Sequence, residues 1–100
     1  MEKHTPHCRL SVVRRLVEAD RVRLTASAAR HGRLLGFDRN GIVAVVASLT
    51  EADFYKSMTT YANHAVWQDV YRPVTAAGAI YLKLTVADAV LVVSFKELES

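Results

Sequence analysis

The sequence has a single cysteine, no long apolar run and no leader-like N-terminus, and each absence excludes a class of protein. Cys8 alone cannot form an internal disulfide, which excludes a disulfide-stapled scaffold and fits a reducing compartment. No apolar run approaches the ~20 residues needed to cross a bilayer. The opening "MEKHTPHCRL" lacks the apolar core of a signal peptide. We therefore expect a cytoplasmic protein that does not enter a membrane.

The remaining composition is that of one folded domain, residues 1–100. A chain of this length can bury roughly two-thirds of its unfolded surface, and 51% of its residues are hydrophobic. The net charge of +3 is unevenly distributed, because residues 1–40 carry +5 and residues 41–100 carry −2. A basic surface attracts phosphate backbones. For any single arginine of the first half, however, a solvated helix face is the ordinary explanation.

The first half of the chain has the apolar spacing and the start signals of helices. The predicted helices are "TPHCRLSVVRRLVEA", "TASAARHGRLLG" and "DRNGIVAVVASL", with an extended "RVRL" between the first two. "TEAD" at 50–53 predicts a short capped helical turn. The predicted start residues are Thr5 followed by Pro6, then Thr25, then Asp38 or Asn40, and the second helix is predicted to end at Gly36.

The second half predicts an antiparallel hairpin, because residues 80–86 and 90–96 alternate between apolar and polar. A turn at Ala87 and Asp88 would pair Val86 with Ala89, Leu84 with Leu91, Leu82 with Val93 and Ile80 with Phe95. Every such pair is apolar. On the other face this register places Tyr81 across from Ser94, with Lys96 one diagonal step away and Lys83 beside them.

A polar sheet face can be exposed to water without having any function. A neighbouring strand, however, favours a functional site on this face. Residues 66–72 present Gln68 and Arg72 next to Tyr81 and Lys96, with no carboxylate between them. Cations and hydroxyl groups without an intervening acid suit an anionic substrate, and phosphate is the obvious one.

A metal site is the weaker interpretation of a second cluster, at the N-terminus. His4, His7 and Cys8 offer possible ligands, but their spacing matches no closed site and a fourth ligand is missing. A frayed terminus leading into a capped helix is preferred. We assign no metal and no cofactor.

Four segments, together with the opening "MEK-TPH-RL", closely resemble the MqsR toxins of bacterial type II toxin–antitoxin pairs. They are "FYKSMTTY", "WQDVYRP", "YLKLTV" and "VSFKE". The resemblance is dense over 51–73 and 78–97, present over 1–17 and thin over 18–50. It implies a RelE-like α+β fold in which N-terminal helices pack on a C-terminal antiparallel β-sheet. It also implies an mRNA interferase, which is an endoribonuclease that needs no ribosome.

The resemblance further implies roles for single residues and a protein partner. Catalytic roles fall on Lys56, Gln68, Tyr81 and Lys96, and substrate contact on Tyr55, Met58 and Arg72. Lys83 joins the substrate-binding set through its place on the hairpin. The implied substrate is mRNA, cut near GC-containing triplets. The implied partner is an MqsA-like antitoxin in a hetero-oligomer, and the family's zinc belongs to that antitoxin.

Metal-free RNA cleavage proceeds by attack of a ribose 2′-OH on the adjacent phosphate, which requires a proton acceptor, a proton donor and charge stabilisation. Lysine and tyrosine, with ordinary pKa values near 10.4 and 10, can serve only if cationic neighbours lower the pKa of one of them. His64 is a rival proton carrier, ranked below Tyr81. The alternative function is a non-catalytic nucleic-acid-binding or coregulatory subunit, and a pure protein-interaction domain is a third.

Overall fold

A computed structural model describes residues 1–99 and confirms the α+β class. Ser100, the last residue of the predicted domain, lies outside the described residues. The helices are α1 (Leu10–Glu18), α2 (Ala26–Leu34) and α3 (Arg39–Ala47), with a 3₁₀ turn at Glu51–Asp53. The strands are β1 (Glu2–Lys3), β2 (Val22–Leu24), β3 (Phe54–Thr59), β4 (Trp67–Tyr71), β5 (Val74–Thr75), β6 (Gly78–Val86) and β7 (Val90–Glu97).

The strands form one sheet in the order β1-β3-β4-β6-β7-β2, and β5 pairs with β6 beside this path. Neighbours are antiparallel except β2, which runs parallel to β7. The C-terminal antiparallel sheet is therefore extended at both edges by short N-terminal strands. Of these, only the extended "RVRL" segment, now β2, was predicted from the sequence.

The hydrophobic core lies between the three helices and one face of the sheet. Leu82 and Phe95, paired across β6 and β7, are fully buried there with Val13 of α1 and Ile42 of α3. The helices cover this face only, so the side chains that alternate with the core residues along the strands point away from the helices. No helix among residues 1–99 is long and apolar enough to cross a membrane.

The predicted start of the first helix is wrong. α1 begins at Leu10 after Arg9, which makes no side-chain cap, and not at Thr5 and Pro6. The cause is a long-range contact, because the backbone amides of His7 and Cys8 donate to the two carboxylate oxygens of Asp69 at 2.9 and 3.0 Å. The preceding residues form β1 on the edge of β3. Residues 1–9 therefore contact strands β3 and β4 and are not part of α1.

The N-terminal cluster that was weighed as a metal site has other contacts. The His7 ring stacks on Trp67 with the ring centres 5.4 Å apart, and its Nδ1 lies 3.0 Å from Lys3 Nζ. Within residues 1–99, no group of three or more His, Cys, Asp or Glu side chains has the geometry to hold a metal ion. Burial and the charge of Asp69 raise the pKa of the Cys8 thiol, which keeps it protonated near neutral pH.

The other helix signals are confirmed. Thr25 Oγ1 accepts from the Ala28 amide at 3.0 Å, and Gly36, with φ of +91°, follows the end of α2. Of the two possible caps of α3, Asp38 is the one used, since its carboxylate accepts from the Gly41 amide at 2.7 Å. The capped turn at 50–53 is also present, because the Asp53 carboxylate accepts from the Thr50 amide at 2.9 Å.

The predicted register of the hairpin is wrong, because the turn is one residue longer than predicted and β7 contains a β-bulge. The turn contains three residues, 87–89, and Val93 is an extra residue in β7. Val90 and Val92 therefore face the core before the bulge, whereas Leu91 and Val93 were predicted to do so. The observed pairs are Val86 with Val90, Thr85 with Leu91, Leu84 with Val92, Lys83 with Ser94, Leu82 with Phe95, Tyr81 with Lys96 and Ile80 with Glu97.

Thr25 connects the bulge to helix α2. Its amide donates to the Val92 carbonyl at 3.1 Å, and its hydroxyl donates to the Val93 carbonyl at 3.0 Å while capping the helix. The residue thus satisfies the backbone that the bulge leaves without a strand partner. This contact stabilises the bulged form of β7, in which the Lys96 side chain points to the polar face of the sheet.

Replacing Thr25 by alanine removes the helix cap and the bond to the bulge together. We expect Thr25→Ala to lower the free energy of unfolding by about 1–2 kcal/mol, measured by urea denaturation. Thr25→Ser is the matched control, because it retains the hydroxyl and should lose less than half as much. Equal stability of the alanine variant and the unmodified protein would show that the bulge does not depend on this hydroxyl.

Candidate active site

Strand register gathers the predicted site residues on the sheet face that the helices leave uncovered. Lys56 pairs with Val70, Val70 with Lys83, and Lys83 with Ser94, which forms one row across four strands. Directly paired residues point to the same face, and so do residues two positions along a strand. This face therefore carries six of the eight predicted residues: Lys56, Met58, Gln68, Tyr81, Lys83 and Lys96.

A cleft of about 450 Å³ opens at one end of this face. Five predicted residues line it together with Ser94: Tyr55, Arg72, Tyr81, Lys83 and Lys96. Because of the bulge, Lys96 lies directly opposite Tyr81 and not on a diagonal, while Ser94 is opposite Lys83. The corrected register thus brings the phenol and the ammonium group closer than the predicted one.

Each of the two tyrosine rings in the cleft is flanked by two cations. Lys96 Nζ lies 5.5 Å and Lys83 Nζ 5.9 Å from the centre of the Tyr81 ring. Arg72 Cζ lies 4.6 Å and Lys56 Nζ 5.4 Å from the centre of the Tyr55 ring. A register shift between Phe54 and Lys56 places Tyr55 at an irregularity of β3, where it is 43% exposed. Aromatic faces beside cations suit nucleobases next to phosphates.

Two of the three lysines on this face, Lys56 and Lys96, affect the pKa of the third, Lys83. Burial lowers the pKa of Lys83 from its ordinary 10.5, and the charges of Lys96 and Lys56 lower it further. Between the lowered pKa and 10.5 the unfolded chain binds more protons than the folded one. The charged Lys83 therefore destabilises the fold at neutral pH, and this effect disappears as pH rises through that window. An anion between the lysines would offset the repulsion between their charges without a change of pH.

Lys56 has a partner that the sequence did not predict. Its Nζ lies 2.6 Å from the Glu2 carboxylate, which β1 positions beside Met58. The hydrogen bond that Lys56 donates to the Glu2 carboxylate raises the pKa of Lys56 and lowers the pKa of Glu2. Lys56 is therefore a protonated cation, neutralised by a half-exposed acid. Sequence patterns did not reveal Glu2, because a strand of two residues shows no periodicity.

The expectation of a polar set free of acids therefore needs correction. Besides Glu2 beside Lys56, the carboxyl-bearing residues Glu97 and Glu99 line the cleft. The lining of the cleft therefore contains three cations, Arg72, Lys83 and Lys96, together with two acids.

The other three predicted residues, Lys56, Met58 and Gln68, do not line the cleft. Met58 and Gln68 are paired across β3 and β4, one row beyond Lys56. Met58 lines a separate cavity of about 200 Å³, and Gln68 lines neither this cavity nor the cleft. His64, the rival proton carrier, lines the smaller cavity with Met58. The predicted residues thus form two groups. Five line the cleft, and Lys56, Met58 and Gln68 lie outside it on strands β3 and β4.

Three arginines of the basic first half are occupied in holding the fold together. Arg14 donates to the Leu49 carbonyl at 2.8 Å, and Arg39 to the Val22 carbonyl at 3.0 Å. Arg21 lies 3.3 Å from the Asp88 carbonyl. The helices that carry Arg14 and Arg39 pack on the opposite side of the sheet from the cleft. The cations near the cleft come instead from the acidic second half of the sequence.

Comparison with known proteins agrees with this geometry. The profile of the family described as "Motility quorum-sensing regulator, toxin of MqsA" matches residues 5–97. The mRNA interferase toxin MqsR of Escherichia coli (strain K12) is 57% identical over 97 residues, a match that covers 97% of this chain and 99% of the relative. The family match spans all three helices and the five predicted residues that line the cleft. The chain therefore belongs to the MqsR toxin family.

Proposed function

We propose that the protein is the toxin of a toxin–antitoxin pair and cleaves mRNA as an endoribonuclease without a metal ion. The observation that carries this proposal is the cleft in which Lys96 and Lys83 flank the Tyr81 ring. Membership of the MqsR toxin family and the name of the Escherichia coli relative support the same activity. Arg72, Lys83 and Lys96 all line the cleft, and three cations in one cleft suit a phosphodiester linkage.

In the proposed reaction, the ribose 2′-oxygen attacks the adjacent phosphorus and the bond from phosphorus to the 5′-oxygen breaks. Lys83 accepts the 2′-OH proton in the fraction of molecules whose Lys83 amine is neutral, a fraction that the lowered pKa increases. Tyr81 donates a proton to the leaving 5′-oxygen. Lys96 and Arg72 bind the phosphate and stabilise the charge of the transition state. The products are a 2′,3′-cyclic phosphate and a 5′-hydroxyl end.

Lys56 and Gln68 are proposed to contact the RNA beside the scissile phosphate. Same-face rows lie about 7 Å apart along a strand and neighbouring strands about 4.8 Å apart. Lys56 is two strands from β6 and one row from Tyr81, and Gln68 is a row farther. From these positions Lys56 reaches a phosphate at or next to the scissile bond. Gln68 reaches a ribose or a base edge.

Incubation with RNA in EDTA separates an endoribonuclease from a non-catalytic RNA-binding subunit. The purified protein is mixed with a defined single-stranded RNA and excess EDTA, and the products are resolved on a denaturing gel. Discrete fragments that a Lys96→Ala/Tyr81→Phe double variant does not produce would support the enzyme. Intact RNA that nevertheless shifts on a native gel would support the binding subunit.

An antitoxin partner and a cellular location are part of the same proposal. The family is described as the toxin of MqsA, and we propose an MqsA-like antitoxin that holds this chain in a hetero-oligomer. Because mRNA is the proposed substrate, the proposed site of action is the cytoplasm. Cleavage near GC-containing triplets is proposed from the family resemblance, and mapping of cut sites on a transcript pool tests it.

Replacing Glu2 by glutamine should release Lys56 for the substrate. The carboxylate competes with RNA phosphate for the Lys56 ammonium group, so we expect Glu2→Gln to lower KM for single-stranded RNA by a few-fold with kcat unchanged. Glu18→Gln, at the exposed end of α1, is the matched control. A rise in KM would mean that Glu2 positions Lys56 and does not compete for it.

A further inference from the structure

The smaller cavity, of about 200 Å³, has no role in the proposed chemistry. It lies where β1 and the β3–β4 loop meet, and its lining includes Glu2, Met58, Tyr61 and His64. Met58 follows Lys56 by two residues on the same face of β3, so the two side chains stand about 7 Å apart along the strand. Glu2 contacts Lys56 and also lines the cavity. Glu2 thus places the cavity beside Lys56, a residue that is proposed to contact the RNA.

Tyr61 projects from this cavity into solvent. Its side chain is fully exposed, at 103% of the reference area, although the loop that carries it is well braced. The Thr60 hydroxyl donates to the Asn63 carbonyl at 2.8 Å and accepts from the Asn63 amide at 3.0 Å. The Asn63 side chain accepts from the Ala65 amide at 2.9 Å. An aromatic ring held in water by such a loop is available for stacking.

Lys56 and Glu2 form an ion pair on one side of the cavity. The Met1 nitrogen donates to the Thr59 hydroxyl at 3.2 Å on the other side. An RNA phosphate that replaced Glu2 as the partner of Lys56 would place the adjoining base near the exposed Tyr61 ring. A cation next to an aromatic face is the combination that single-stranded RNA sites use.

We propose that this cavity is a second nucleotide subsite, which binds a base flanking the scissile bond and contributes to sequence preference. The base stacks on Tyr61 and rests against Met58, and the His64 imidazole faces its hydrogen-bonding edge. This inference rests on the proposed endoribonuclease function. It assigns Tyr61 and His64 to the reading of RNA, and not to the transfer of protons.

Replacing Tyr61 tests the subsite. We expect Tyr61→Ala to raise KM for a single-stranded oligonucleotide about tenfold, a change within the range of one lost base–aromatic stack. Cleavage of a dinucleotide, which is too short to reach the subsite, should be unchanged. Mapped cut sites should lose their base preference at one flanking position. Tyr61→Trp keeps an aromatic face and should retain both KM and preference.

Leu34→Ala is the matched control, since Leu34 is 79% exposed on α2, away from the sheet face that carries the cleft. Unchanged KM and cut-site preference in Tyr61→Ala would overturn the proposal. The proposal would also be overturned if Tyr61→Ala weakened only the binding of the antitoxin, because the Tyr61 ring would then belong to a protein interface.

Binding of an oligonucleotide with 2′-deoxyribose at the cut site tests the subsite without chemistry, because no 2′-OH is available to react. Fluorescence anisotropy should show about tenfold weaker binding to Tyr61→Ala than to the unmodified protein. If this loss is seen while unmodified protein cuts no RNA in EDTA, the proposed catalysis fails and the subsite stands. Equal binding by the two proteins would overturn the subsite.

Discussion

Replacing Lys96 by alanine is expected to lower kcat for RNA cleavage about 10²–10³-fold, because one preorganised cation is lost from the charge that develops on the phosphate. Tyr81→Phe should lower kcat to a similar extent, since it removes the proposed proton donor and keeps the ring that the lysines flank. The two residues are directly paired across β6 and β7. The double variant should therefore lose less than the product of the two single effects.

The measurement is a single-turnover assay on a labelled RNA, with folding checked by circular dichroism. Arg33→Ala is the matched control, because it removes an exposed cation from α2 on the opposite side of the sheet. It should cut RNA at the rate of the unmodified protein. If Lys96→Ala and Tyr81→Phe both folded normally and retained near-full activity, the cleft would not be the active site.

Replacing Asp69 by alanine is expected to lower the free energy of unfolding by about 3 kcal/mol, a large effect for one side chain of a small domain. The carboxylate is buried, with 3% of its area exposed, and accepts from the amides of His7 and Cys8 and from the Ser57 hydroxyl. Alanine would leave these buried donors without their acceptor. Urea denaturation measures the change.

Hydrogen exchange of the N-terminal segment provides a second readout of the same variant. The amides of His7 and Cys8 should exchange faster in Asp69→Ala, because their acceptor has gone. Asp38→Ala is the matched control, since it removes only the exposed cap of α3 and should cost about 1 kcal/mol. If Asp69→Ala were no less stable than the control, the N-terminal segment would be held by other contacts.

Local signals predicted the second and third helices correctly. Thr25, Asp38 and Gly36 act within one turn of their own helix, so residues near in sequence determine the outcome. The start of α1 was predicted wrongly because its deciding contact is with Asp69, about sixty residues away. A cap signal such as Thr5–Pro6 cannot compete with a buried carboxylate that binds the same stretch of backbone.

The hairpin shows the same limit for strands. Alternation predicted its two strands and the polar face of β6, and it correctly placed Ile80, Leu82, Leu84 and Phe95 in the core. It could not predict the bulge at Val93, because Val90 to Val93 are all apolar and fit either phase. The choice between the phases depends on Thr25, which reaches the bulge from another element. Register was therefore decided by tertiary contact.

Residue types and alternation predicted most of the cleft, and strand topology supplied what they could not. Tyr81, Lys83 and Lys96 share a face because of their spacing within one hairpin. Their proximity to Arg72 and Tyr55 depends on the order β3-β4-β6, which alternation does not give. The Glu2–Lys56 ion pair depends on an edge strand of two residues. The roles assigned to all eight site residues remain predictions.

The chemistry of the cut ends tests the central claim most directly. RNA cleaved by the purified protein in excess EDTA is analysed by mass spectrometry and by labelling of the 5′ ends. The proposed mechanism predicts 2′,3′-cyclic phosphates on the upstream fragments and free 5′-hydroxyl groups on the downstream fragments. Fragments carrying 5′-phosphates and 3′-hydroxyls, or cleavage that EDTA abolishes, would contradict attack by the ribose in a cleft of lysines and a tyrosine.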